Sequence, residues 1–292
     1  MNHREYLQGL EAFLRNRVIG QDDALSRVSR ALESAECHLN DTGPRPKGAF
    51  LFMGPSGVGK TSCCKAFAEY LAAKLSMIFM NEHQSAADAP DFVQAIVRSV
   101  KAHPDGTVIL LDEIEKAHKS IIDILLSLLD EGEITTPDGS RVSVGKTYIV
   151  LTSNIGAQRW GQMIETKYSV AEQFAHEQAK KTLRPELFWR LTETLVFKPL
   201  SQNVQIEILG SVLEAKLVHL DLELNLGKLS VDPRVHSHLL RKCFSQAGGA
   251  RRLRQELDRQ INLAVLPWAM TGTKPKEGRF YYVPEKDRLV LQ

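Results

Sequence analysis

The sequence predicts an α/β fold: a parallel five-stranded sheet covered by helices, then a smaller, mostly helical region ending in a β-hairpin. Three observations carry this expectation. Short apolar runs at 48–53, 76–81, 107–111, 147–152 and 193–198 alternate with helical patterns at about 60–74, 91–102 and 118–130. Buried parallel strands joined by crossover helices give this alternation. Beyond Lys198-Pro199-Leu200 the texture turns helical, with patterns at 201–223, 232–244 and 250–270. The chain then closes on two short β patterns, Gly278-Arg279-Phe280-Tyr281-Tyr282-Val283-Pro284 and Arg288-Leu289-Val290-Leu291.

Residues 4–15 read as one helix with Tyr6, Leu7, Leu10 and Phe13 or Leu14 on a common face. Val18-Ile19-Gly20-Gln21 breaks it, and a second helix follows over 22–38. Asn40 to Pro46 is a loop by composition. Near the end, Leu253, Leu257, Ile261 and Val265 are spaced by four, the pattern of a long helix with one apolar stripe. A boundary near 199–203 divides the chain into a large domain over 1–200 and a small one over 201–292.

With 43% hydrophobic and 25% charged residues, the 292-residue chain has the composition of a globular protein that needs no staples. Its net charge of +2 gives no mandate for nucleic acid or an anionic membrane. The four cysteines, Cys37, Cys63, Cys64 and Cys243, lack metal-site spacing and read as buried, reduced thiols. The first residues contain no apolar core of signal-peptide length, and no run approaches the length of a membrane span. A cytoplasmic protein is the expectation.

The strongest chemical signal is GPSGVGKT, Gly54 to Thr61, directly after the apolar run Ala49 to Met53. A strand that breaks into a glycine-rich turn and then a helix is the context of a phosphate-binding loop. Small residues let the backbone wrap phosphates, and amides at the helix start point at negative charge. The candidate nucleotide-binding residues are Gly54, Pro55, Ser56, Gly57, Val58, Gly59, Lys60, Thr61 and Ser62, with Lys60 as the cation and Thr61 as a Mg²⁺ ligand. A second apolar run, Val108 to Leu111, ends in Asp112 and Glu113. The C-terminal end of a strand is where an open α/β sheet places its ligand. Asp112 fits a Mg²⁺-side carboxylate, and Glu113 fits the group that orients and deprotonates attacking water. A third run, Ile149 to Ser153, ends in Asn154, a candidate to hold that water or sense the γ-phosphate; its strand is expected between those of the loop and of Asp112.

Together these motifs resemble the AAA+ ATPases of the Clp type. Val18-Ile19-Gly20-Gln21, GPSGVGKT, ILLDEIEKAH, LLSLLDEGEIT, TSNIG, Arg184-Pro185-Glu186-Leu187 with Arg190, and Gly249-Ala250-Arg251 follow in the family's order. The chain is similar to the second ATPase domain of a Clp disaggregase, standing alone without the amino-terminal domain, coiled-coil arm or first ring. The resemblance implies a P-loop AAA+ large domain with a five-stranded parallel sheet and a small helical lid with a terminal hairpin. It implies ATP and Mg²⁺ as cofactors and a hexameric ring. It gives Val18 and Ile19 a place against adenine, makes Arg190 the finger that reaches a neighbour's γ-phosphate, and makes Arg251 the lid residue that reports nucleotide state. Trp189 stands where the family usually has Asn.

One family feature is missing. Clp unfoldases carry a long loop with a Gly-Tyr-Val-Gly core that grips substrate in the ring's pore. Here Asn81 to Pro90 is short, without aromatic or glycine. Phe92 reads as a helix-core residue. The second pore segment is retained as Glu133 to Val142 with an Asp138-Gly139 turn. Residues 157–180 hold no Ile-Gly-Phe/Leu tripeptide of the kind that docks a peptidase. In lacking the aromatic loop the chain resembles torsins. Three functions fit: an ATP-hydrolysing remodeller or switch of a dedicated protein partner, without processive threading; an unfoldase that threads with the 133–142 hairpin alone; or a nucleotide-dependent assembly or DNA-associated regulator. The clusters Arg251-Arg252-x-Arg254 and Lys180-Lys181-x-x-Arg184 favour the last only weakly, since they read more simply as solvated helix faces.

Overall fold

The computed structural model describes residues 3–37, 44–225, 229–243, 249–275 and 277–292. It divides into two compact units. One holds Met1–Pro55 and Gly59–Lys198; the other holds Pro199–Gln292 together with the three loop residues Ser56–Val58.

In the first unit, two short helices, α1 (His3–Gln8) and α2 (Leu10–Arg17), replace the single helix expected over 4–15. Gly9 lies between them, packed close to the Tyr70 hydroxyl. The apolar face is as expected, with Leu7, Leu10 and Leu14 buried. After α3 (Asp22–Glu36) come β1 (Gly48–Met53), α4 (Lys60–Tyr70), β2 (Lys74–Phe79), α5 (Ala89–Ala102), β3 (Thr107–Asp112), α6 (Lys119–Glu131), the short strands β4 (Glu133–Thr135) and β5 (Arg141–Ser143), β6 (Thr147–Ser153), α7 (Tyr168–Thr182), α8 (Pro185–Phe188) and β7 (Glu193–Val196). β1 and β6 are buried at every position, so periodicity alone could not tell these runs from buried helix. The order β2-β3-β6-β1-β7 gives a five-stranded sheet, every neighbour pair parallel. The expected placement of Asn154's strand between those of Asp112 and the phosphate loop is correct.

Several boundaries move. The helix expected to reach residue 74 ends at Tyr70, because Ala72 takes a left-handed φ of 51° and turns the chain into β2. β2 therefore starts two residues before the expected 76 and ends at Phe79 rather than 81, and β7 stops at Val196 rather than 198. The helices α7 and α8 had no sequence counterpart. α7 buries only Ala171, Ala175 and Ala179, an alanine stripe with little hydrophobic contrast. Phe92 lies in the core on α5, fully buried.

The second unit contains α9 (Gln202–Leu224), β8 (Ser230–Val231), α10 (Pro233–Cys243), α11 (Gly249–Thr271), β9 (Arg279–Val283) and β10 (Arg288–Leu291). The terminal hairpin is present as the antiparallel pair β9–β10. β8 adds a third, parallel strand beside β9, too short at two residues to show in the sequence. Leu253, Leu257, Ile261 and Val265 form the buried stripe of α11.

Candidate nucleotide and hydrolysis site

The glycine-rich turn follows β1 and delivers the chain into α4. Gly54 has φ of 145°, and a Cβ there would stand 2.2 Å from the Phe197 carbonyl oxygen. Gly59 has φ of 110°, and a Cβ there would stand 2.8 Å from Val18 Cγ1. Both positions need glycine for conformation and for space. Gly57 shares the positive φ, Pro55 and Val58 are buried, and Ser56 is exposed. Gly59 is also the cap position of α4, so no side chain closes the amides of that helix's first turn. Thr61 and Ser62 follow in that turn, both half-buried.

Lys60 is buried. Its ammonium donates to the carbonyls of Gly54 at 2.5 Å and Pro55 at 2.7 Å and to Asn154 Oδ1 at 2.9 Å. Asn154 in turn donates from Nδ2 to Glu113 Oε1 at 3.0 Å. This relay fixes the amide orientation, since the reverse would point NH₂ at an ammonium and a carbonyl at a carboxylate. The cation of the loop, the polar end of β6 and the second acid of β3 thus form one chain of hydrogen bonds. Lys116 Nζ lies 3.3 Å from the other oxygen of Glu113.

Glu113 is a non-glycine residue in the left-handed region, at φ 60° and ψ 55°. That conformation costs roughly 1–2 kcal/mol. It turns the chain sharply off the end of β3. Its amide donates to Thr152 Oγ1 at 3.2 Å, and the same hydroxyl donates to Asp112 Oδ1. Glu115 Oε1 accepts the Asn154 amide at 3.0 Å, while its Oε2 is buried without a hydrogen-bond partner. Thr152, Glu115 and Lys116 were not among the residues expected at the site. Only the pairing of β3 with β6 brings Thr152 and Glu115 to it, although the neighbouring Asn154 and Glu113 flagged both segments.

Val18 is buried with its side chain against the Gly59 turn, and Ile19 is half-buried. Gln21, from the same segment, exchanges two hydrogen bonds with the backbone of Lys198, both at 2.9 Å. Arg190 is three-quarters buried and takes no part in the Lys60 relay. Its Nε and Nη2 reach Asp130 Oδ2 at 2.6 and 2.5 Å, and Nη1 donates to the Glu186 carbonyl at 2.7 Å. Trp189 beside it is 87% exposed. Arg251 belongs to the second unit, exposed in the first turn of α11.

The residues at 54–62 suit a nucleoside triphosphate: a glycine cradle that any Cβ would fill, a helix start closed by no side chain, and a buried ammonium held by neutral acceptors weaker than a phosphate. The Asp112 carboxylate and the Thr61 hydroxyl are oxygen donors of the kind Mg²⁺ takes. Among the described residues no group of three or more His, Cys, Asp and Glu side chains could hold a metal ion. Cys63 and Cys64 lie buried on α4, as expected, and burial raises both thiols well above the ordinary range. Cys37, expected to be buried, is exposed at the end of α3. The side chain of Cys243 lies outside the described residues.

At the β4–β5 hairpin, Asp138 accepts from the Thr136 hydroxyl and from the Ser140 amide and hydroxyl, the last two at 3.1 and 2.9 Å. These bonds hold its carboxyl down to about 2. The interval from Met80 to Asp88 holds two 3-10 turns, Met80–Glu82 and Ala86–Asp88, the second closed by a Ser85/Asp88 capping box.

The parallel sheet, the glycine loop and the acidic strand end define a P-loop ATPase. The model of the AAA domain (Cdc48 subfamily) matches residues 45–194. The chain is 35% identical to the chloroplastic chaperone protein ClpD1 of Oryza sativa subsp. japonica, over 88% of this chain and 30% of that one. It is 33% identical to the chaperone protein ClpB 1 of a Nostoc species, over 89% of this chain and 31% of the relative. A probable chaperone protein ClpB 1 of Chlorobaculum tepidum is 30% identical over the whole of this chain and 71% of its own length. The chain therefore belongs to the AAA domain family and is a Clp-type AAA+ ATPase. It spans about a third of the length of the first two relatives. No described helix is long and apolar enough to cross a membrane.

Proposed function

We propose that the chain hydrolyses ATP with Mg²⁺ as one subunit of a ring, most simply a hexamer, and uses the cycle to remodel or switch a dedicated protein partner without processive threading. The observation that carries this is the Lys60–Asn154–Glu113 relay, which joins a phosphate-side cation to a carboxylate through one amide. Thr61 and Asp112 would hold Mg²⁺, which would supply neutralisation of the charge on the phosphates. Glu113 then takes the proton of the attacking water, and Asn154 holds Glu113 in place while its Oδ1 keeps Lys60 directed at the loop. The 54–62 turn wraps the phosphates, with the backbone amides of Ser56 to Ser62 as donors, and Val18 and Ile19 lie beside the base.

Arg190 supplies the guanidinium to the next subunit's site, a contribution worth roughly 10³–10⁵ in rate in such enzymes. To do so it must exchange some of its bonds to Asp130 for bonds to phosphate. Residues 1–200 act as the nucleotide-binding domain and 201–292 as the lid, with Arg251 reporting nucleotide state. That the relatives are chaperones supports a protein partner. The compact 80–88 segment, two short turns with no aromatic, supports action without the grip of a threading loop.

The ordered tip of the β4–β5 hairpin favours one second reading, a threading unfoldase that uses this hairpin as its pore contact. Unfolding of a generic tagged substrate in the presence of ATP separates the two. The remodeller releases phosphate yet leaves such a substrate folded. Robust unfolding that disappears when Asp138 and Arg141 are replaced together would establish threading instead. A Glu113→Gln chain with ATP is the reagent for capturing the dedicated partner.

A further inference from the structure

We propose that Thr152 is a positioning residue for phosphoryl transfer: its single hydroxyl holds Asp112 and Glu113, the two acids at the end of β3. The inference rests on the hydrolytic reading above. β6 lies parallel to β3 with Leu151 opposite Leu111, so the next step along the pair sets Thr152 beside Asp112. Thr152 is 1% exposed, which keeps water from competing for its bonds. A hydroxyl has one donor and two acceptor sites. Here the donor goes to Asp112 Oδ1, and one acceptor site receives the Glu113 amide at 3.2 Å.

The two bonds act on different parts of the site. The first fixes the rotation of the Asp112 carboxylate and leaves its Oδ2 for the metal side. The second ties down the amide of a residue held at φ 60°, the strained turn from which the Glu113 side chain departs. The far end of Glu113 is fixed by Asn154 and Lys116. Thr152 holds the near end, so the carboxylate is gripped at both. A β-branched side chain on a buried strand has a stiff χ1, which makes threonine a precise holder. The adjacent hydroxyl has a different partner. Successive strand residues alternate faces, and Ser153 Oγ accepts the Ile155 amide at 3.1 Å.

The test is steady-state phosphate release from ATP with Mg²⁺ by the unmodified chain and by Thr152→Val, Thr152→Ser and Glu113→Gln, with ATP affinity measured separately. Losing an orienting partner of this kind costs about 10–100-fold in activity. Thr152→Val is therefore expected to lower kcat by about that factor, with KM and the ATP Kd within about threefold, because ground-state binding does not use the hydroxyl. Thr152→Ser keeps the hydroxyl and restores kcat to within about threefold. A Thr152→Val kcat within about twofold of the unmodified chain, while Glu113→Gln is inactive, overturns this inference and leaves hydrolysis standing. Equal losses in the serine and valine chains also overturn it, since the methyl would then be what matters. A Glu113→Gln chain as active as the unmodified one overturns the hydrolytic reading and this inference with it. Hydrogen exchange at the Glu113 amide of the unmodified chain tests the tie even if the valine chain does not fold. Slow exchange supports it, and exchange at the rate of an open peptide overturns it.

Discussion

Arg190 and Asp130 are joined twice through one oxygen: Nε and Nη2 of the arginine both reach Asp130 Oδ2, at 2.6 and 2.5 Å. Asp130 sits one residue before the end of α6, and Arg190 follows α8, so the pair locks two elements that are 60 residues apart in sequence. These bonds, with the one from Nη1 to the Glu186 carbonyl, restrict the rotamers of the guanidinium.

Replacing Arg190 with Ala is expected to lower kcat for ATP by at least about 10³ while ATP affinity changes little, the mark of a group used mainly in the transition state. Parallel phosphate-release and nucleotide-binding titrations check this. Asp130→Asn is expected to cost about 1 kcal/mol of stability or less, because both partners remain about a third exposed. Chemical denaturation reads that difference.

Lys60→Met should weaken ATP binding by about 10–100-fold, the range of a charge-assisted hydrogen bond worth about 1.5–3 kcal/mol. Nucleotide titration by fluorescence is the measurement, and an unchanged Kd would remove Lys60 from the site.

Gly59→Ala meets two obstacles, the φ of 110° and the Val18 methyl 2.8 Å away. The backbone term alone is worth about 1–2 kcal/mol. Adding Val18→Ala relieves the contact and leaves the backbone strain. The double variant should therefore recover only part of the loss, as a double-mutant cycle in urea would show.

Two histidines, His238 and His176, are expected to make stability fall as pH drops through the range below neutrality. Burial lowers the pKa of His238 below its ordinary value, with Lys242 and Arg241 adding to it and Asp287 and Glu256 opposing. Burial likewise lowers that of His176. The unfolded chain then binds protons before the folded one, so stability is fully present above about 6.5, the ordinary histidine pKa, and is lost below it until the folded groups also titrate. His238→Phe should flatten the pH dependence of the urea midpoint between about 7 and 5. An unchanged slope would show that His238 contributes none of it.

The sheet was legible because five short apolar runs alternate with helical patterns, and because a buried strand before a glycine turn has few other readings. Asp112, Glu113 and Asn154 were visible because two of those runs end abruptly in polar residues. α7 was not, since Ala171, Ala175 and Ala179 carry almost no hydrophobic signal. The first helix is interrupted at Gly9, where a Cβ would stand 2.7 Å from the Tyr70 hydroxyl, a neighbour the local pattern does not show. Thr152 and Glu115 were hidden because their roles depend on which strand lies beside which. Asp130, one of two acids before the glycine at 132, looked like an ordinary helix end until Arg190 arrived from 60 residues away.

The most direct test mixes two inactive chains. Glu113→Gln lacks the base but keeps Arg190; Arg190→Ala keeps the base but lacks the guanidinium. The account predicts that each alone releases almost no phosphate from ATP with Mg²⁺, and that mixing them restores release, because one subunit's carboxylate meets its neighbour's arginine. A mixture as silent as its components, beside an active unmodified chain, would contradict a site shared between subunits.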